Sequence, residues 1–160
     1  MKVKELLVES FNAFSNLFCK NGHTILLGNH TEGHHFHAFT VCFENREVNI
    51  GVSSHSLIKP CLLIQDKHLL IGFDEEVDVI SDITVLRSYH WESPFFRFIT
   101  TESGNILLVF DSGIICINKE FNLEWNYTGK DMITGCSVSE HGVEVSFLDG
   151  TTEILPRSAK

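Results

Sequence analysis

At 160 residues, with 43% hydrophobic and 21% charged side chains, the chain has apolar mass for one packed core, which excludes a disordered chain and makes residues 1–160 a single domain on this reading. Acidic residues number 21 against 12 Lys and Arg, a formal net charge of -9, and that field repels nucleic-acid phosphates and anionic membrane surfaces while favouring encounter with a basic protein. Five cysteines form no CxxC pair and leave an odd one over, so no disulfide or zinc framework is indicated. Glu5 and Glu9 interrupt what a secretory apolar region would need, and no run approaches membrane-spanning length. The expected setting is reducing and cytoplasmic.

The first element predicted is an amphipathic helix over residues 3–19. Val3, Leu6, Leu7, Phe11, Phe14, Leu17 and Phe18 fall at the three-and-four spacing of one helical face, and Asn21-Gly22 supplies a stop. Its polar side mixes Lys2 and Lys4 with Glu5, Glu9, Asn12 and Asn16. Without the basic face of a membrane-surface helix, it is expected to pack on the protein's own sheet. From there the period is that of strands, giving a β region over residues 24–155 that opens with strands at 24–27, 36–43 and 47–52.

Residues 68–80, 105–117 and 142–154 then align without a gap, with Phe73, Phe110 and Phe147 in register at a spacing of 37 (110 − 73 and 147 − 110). A spacing of this kind marks a repeated β unit. Each unit reads as a first strand (61–64, 96–100, 136–138), a turn, a second strand ending on the shared Phe, another turn, and a third strand (77–80, 114–117, 151–155). A fourth element follows at 83–91 and 121–127. Gly113 and Gly150 suit a tight second turn because Gly tolerates positive φ. The first copy has Asp74-Glu75-Glu76 there and no Gly, which predicts a wider or more strained loop. Phe43-Glu44 followed by Val48-Asn49-Ile50 reads as a divergent fourth copy. The fold class is thus mainly β, antiparallel meander repeats of period 37 forming an open sheet or sandwich, with one N-terminal amphipathic helix.

The segment 105–125, an apolar strand, an Asp-Ser-Gly turn, a second apolar strand and a Leu-Glu-Trp close, resembles a blade of a quinoprotein-like β-propeller. That resemblance implies a small or partial β-propeller as the alternative architecture, since a closed ring takes about four to eight blades. It carries over no cofactor.

Two clusters bear chemistry. His30, His34, His35 and His37 are dense in ligand-type residues, and His35 and His37 on a strand share a face. Their spacing matches no established metal signature, so no metal or other cofactor is assigned, and a His-dependent metalloenzyme stands as an alternative. The stronger patch is acidic: Asp74, Glu75, Glu76, Asp78 and Asp82. With no Ser elbow, phosphate loop or catalytic motif, these five are the candidate partner-binding residues, and in size, charge and lack of chemistry the chain resembles small acidic bacterial toxin-immunity proteins. That likeness of kind implies a non-enzymatic inhibitor that blocks the active site of a basic partner such as a nuclease toxin. A repeat module that self-assembles is the remaining alternative.

Overall fold

Alternating apolar residues punctuated by short turns fold into four sheets in a computed structural model that describes residues 1–6, 8, 10–19, 24–28, 34–44 and 46–156. The first sheet contains β1 (Lys2–Leu6), β2 (Thr24–Gly28), β3 (His35–Phe43) and β4 (Arg46–Ser54) in the order β1-β3-β4-β2, with β2 parallel to β4 and the other pairs antiparallel. The second is the consecutive series β5 (Cys61–Gln65), β6 (His68–Phe73), β7 (Glu76–Ser81) and β8 (Thr84–His90). The third repeats that pattern with β9 (Phe95–Thr100), β10 (Ile106–Phe110), β11 (Gly113–Ile117) and β12 (Leu123–Thr128). The fourth has three strands, β13 (Ile133–Ser139), β14 (Gly142–Phe147) and β15 (Thr152–Leu155).

The 37-residue period is the period of these sheets. Phe73, Phe110 and Phe147 each end the second strand of a meander, and all three are buried. The first sheet is the divergent copy: Phe43-Glu44 closes β3 as Phe73-Asp74 closes β6, and Glu44 and Asp74 share a left-handed backbone at φ 48° and 44°.

The N-terminal helix is shorter than its apolar spacing predicts. Residues 2–6 form β1, where Val3 faces Val41 and Leu6 faces Ala38 across β3, and helix α1 is confined to Phe11–Cys19. Ser10 explains the start, because its Oγ accepts the Ala13 N–H at 3.2 Å in the manner of an N-cap. The predicted Asn21-Gly22 stop lies outside the described residues. As expected, α1 packs on its own sheet: Phe14 is buried, its ring lies 5.1 Å from that of Phe36, and it rests on Gly51 of β4, where a Cβ would come within 2.5 Å of Phe14 Cζ.

The chain divides into two compact units. Unit 1 comprises Met1–Asp74 and Asp78–Ser88, and unit 2 comprises Glu75–Val77 and Tyr89–Lys160. The core of unit 1 joins Phe39, Val41, Val48, Ile50 and Val52 to Leu69, Ile71, Phe73 and Ile80. In unit 2, Leu107, Val109, Ile114 and Cys116 pack with Val143, Val145 and Phe147. Gly150 takes the predicted positive φ (82°), whereas Gly113 does not; there the Trp91 ring lies so close that a Cβ would fall 2.1 Å from its Cζ2.

Candidate partner-binding site

The five acidic residues have separate surroundings. Asp74 turns inward: its side chain is 9% exposed and accepts from Ser54 Oγ (2.6 Å), His55 N (3.0 Å) and Ser56 N (3.1 Å), with His55 Nδ1 at 3.1 Å. A carboxylate so engaged holds both its own strained turn and the 54–56 segment. Asp, His and Ser meet here, yet Ser54 donates to the carboxylate and is fully buried. No imidazole stands between them to take a proton, so the arrangement is not a nucleophile system.

Glu75 accepts the Trp91 N–H on its backbone oxygen at 3.0 Å and is half-buried. On β7, Glu76 and Asp78 share one face, and both look toward β8. Glu76 Oε1 lies 3.6 Å from His90 Nε2, an ion pair when that imidazole is protonated. Asp78 is buried and accepts from Ser88 Oγ. Asp74 does not join this face, because its φ of 44° breaks the alternation before β7 begins.

Asp82 differs from the others. It sits in the β7–β8 turn at φ 55°, with its side chain 51% exposed, and meets Arg46 Nη1 at 3.3 Å. Both belong to a cleft of unit 1, about 640 Å³, lined by Met1, Phe43, Glu44, Arg46, Asp66, Lys67, Ser81 and Asp82. Three hairpin turns converge there, β3–β4, β5–β6 and β7–β8, and each contributes an acidic residue in the left-handed region: Glu44, Asp66 (φ 53°) and Asp82. Glu44 and Asp66 carry no ion pair among the described residues. The cleft thus sets three carboxylates beside Arg46, Lys67 and Met1, and the exposed Arg46–Asp82 pair contributes about 1 kcal/mol at most. Sequence reasoning missed Glu44 and Asp66. Their signal was an acidic residue at a tight turn that has no Gly.

Of the His cluster, His30 lies outside the described residues. His34 is exposed, and His35 and His37 share a face of β3 as predicted, opposite Ser54 and Val52 of β4. His37 Nε2 is buried without a hydrogen-bond partner, and burial is the main cause holding its imidazole below the ordinary value of 6.5. Among the described residues no three His, Cys, Asp or Glu side chains are placed to share a metal ion. No helix among them is long and apolar enough to cross a membrane.

No family model matches the sequence, and no curated protein does. Among solved structures the chain is similar to BBS1N in two crystal structures of BBS1N in complex with ARL6DN, one soaked with mercury and one with lead. Both are 14% identical, with TM-scores of 0.45 and 0.46, and both alignments cover 78% of this chain and 45% or 44% of that one. The chain therefore spans less than half the length of BBS1N.

Proposed function

We propose that the chain is a non-enzymatic binding protein that receives a basic protein partner at the acid-rimmed cleft of unit 1 and along the strand beside it. The observation that carries this reading is the continuity of two surfaces. Immediately after Asp82, Ile83, Val85 and Leu86 are 39%, 40% and 50% exposed, and Val85 and Leu86 present apolar side chains on the two faces of β8, the terminal strand of its sheet. An apolar centre beside a charged rim is the usual anatomy of a protein interface. A terminal strand also offers main-chain groups to an incoming one. In its specific form the proposal is inhibition: the partner is a nuclease toxin, and Glu44, Asp66 and Asp82 engage Lys and Arg that otherwise hold phosphates. Affinity then falls with salt, chiefly through slower association.

A photo-crosslinking residue at Leu86, compared with one at the more exposed Leu148 of unit 2 (64%), tests this in the source cell. A basic protein captured from position 86 and absent from 148, and lost when Glu44, Asp66 and Asp82 become Lys, supports the reading. No adduct at 86, an acidic adduct, or capture indifferent to the three substitutions overturns it.

A further inference from the structure

Unit 1 carries a hydrogen-bonded loop with an apolar tip. Residues 55–60 join β4 to β5, and the base of the loop is fixed. The His55 and Ser56 N–H groups donate to the Asp74 carboxylate at 3.0 and 3.1 Å, and the Ile58 N–H donates to Ser56 Oγ at 3.0 Å. At the tip Leu57 is 84% exposed, more than any other large apolar side chain among the described residues, and Ile58 beside it is 53% exposed. Two such side chains held in water forgo the free energy of burial. Because the backbone beneath them is already ordered, docking them elsewhere loses little further entropy, which is the property of a preorganised anchor.

Unit 2 holds a socket that matches this tip. Leu107, Trp125, Val138 and Val143 wall a cavity of about 190 Å³. Its polar lining is satisfied from within, since the Asn105 side chain hydrogen-bonds the Cys116 thiol and the Thr101 and Ser103 hydroxyls meet at 2.9 Å. Asn105 and Val138 are half-buried while Glu102 and Ser103 are exposed, so the cavity opens to solvent at the β9–β10 turn. An apolar cavity of about 150 Å³ accommodates benzene, so this one has room for a leucine side chain. The charges at the two places are opposite. Glu102 stands at the mouth with no ion pair among the described residues. Lys59, two residues beyond Leu57, has a side chain 73% exposed that meets Glu5 at 3.1 Å, and an ammonium with three donors can take a second carboxylate.

We infer that the chain self-associates head to tail, with Leu57 of one copy seated in the unit 2 cavity of the next and Lys59 of the first against Glu102 of the second. Such a contact is heterologous: every copy added brings a free tip or an empty cavity, so growth passes the dimer unless a ring closes. Neither half belongs to the acidic cleft of unit 1, and the contact stands whether or not that cleft takes a protein.

The test is sedimentation equilibrium of the full chain from about 10 μM to about 1 mM, the range of a weak contact. Because each copy carries a net charge of -9, it is run at about 0.15 M salt, where the Debye length is about 8 Å. The average mass is expected to exceed that of one chain and to rise with concentration. Leu57→Ala should weaken the association roughly 10- to 100-fold. Leu57→Asp, which removes the tip, and Val138→Phe, which fills the cavity, should each leave single chains. Mixed one to one, those two variants should form a complex of two chains that grows no further, since the Val138→Phe copy keeps its Leu57 and the Leu57→Asp copy keeps its cavity. Ser103→Phe, at the exposed mouth, takes the place of Val138→Phe should that change disturb folding. Glu102→Lys should weaken the association severalfold, and Lys59→Glu in the same chain should restore it. A parent protein that stays a single chain throughout, an association indifferent to Leu57→Asp, or a mixture of the folded variants that forms no complex overturns the inference.

Discussion

Asp74→Ala is expected to destabilise unit 1 by about 3–5 kcal/mol, and the figure is built from two terms. The carboxylate accepts from Ser54 Oγ, His55 N and Ser56 N, and hydrogen bonds to a charged acceptor contribute roughly 1.5–3 kcal/mol each. Not all of that is forfeited. Ser54 Oγ also reaches the Ser56 carbonyl at 3.1 Å, and the Ser56 N–H also reaches Ser54 Oγ at 3.0 Å, so one to two bonds' worth, about 2–4 kcal/mol, is lost. The second term is the backbone: at φ 44° an Ala adds roughly 1 kcal/mol that Asp and Asn escape in part by local hydrogen bonding. Asp74→Asn keeps one acceptor and the tolerance for positive φ, so about 1–2 kcal/mol is expected. Asp74→Gly relieves φ and loses every bond, which places it between the two. Urea unfolding at fixed pH, with the slope checked against the parent protein, measures the series. An Ala variant within about 1 kcal/mol of the parent, or Asn as costly as Ala, would refute the account of Asp74 as the tie for residues 54–56.

Gly113→Ala should cost roughly 1–3 kcal/mol by displacing Trp91, seen as a shift in tryptophan emission, because the added Cβ meets the ring at 2.1 Å. Gly104→Ala, with nothing within 4 Å but φ 84°, should cost about 1 kcal/mol and leave the emission unchanged; the same emission shift in both would contradict the packing. Cys42 is exposed, whereas Cys116 and Cys136 are buried thiols pushed up to about 11 chiefly by desolvation. Timed alkylation with peptide mapping should modify Cys42 first and the other two only on unfolding. Burial is the main cause of the lowered His37 value; Lys59 and His35 lower it further, while Glu5 and Asp74 oppose. Below about pH 6.5 the unfolded chain therefore binds a proton that the folded chain resists. Stability should be full above that pH and fall as the pH drops through it, with His37→Gln flattening the slope; an unchanged slope in the variant rejects His37 as the source.

What could be read from the chain was local. Phe73, Phe110 and Phe147 announce themselves because a strand end and its turn lie within a few residues, and Gly150 does so because its φ belongs to its own turn. Gly113 could not be read this way: its constraint is the ring of Trp91, which arrives from the end of another sheet. Val3 and Leu6 fit a helical face and a strand equally, and only the distant β3 decides between them. The acidic run was visible as charge, but Ser54, His55 and Ser56 turn Asp74 inward from about twenty residues upstream. Glu44, Asp66 and Asp82 are too far apart in sequence to suggest the cleft they line.

The strand order of the first sheet has a kinetic meaning. Lys2 pairs with Cys42 and Leu6 with Ala38, separations of 40 and 32 residues, whereas Phe110 pairs with Gly113 only three residues on. Loop-closure entropy is lost before long-range pairs return any contact energy, so local hairpins form early and distant pairings late. The third sheet should therefore be an early scaffold during refolding, with β1 the last strand to lock. Pulsed hydrogen exchange would show this as protection of Val109 and Ile115 ahead of Val41, and simultaneous protection would argue for one concerted step. Until β1 arrives, the outer edge of β3 stays open to a strand from another molecule, so mispairing during refolding concentrates at that edge.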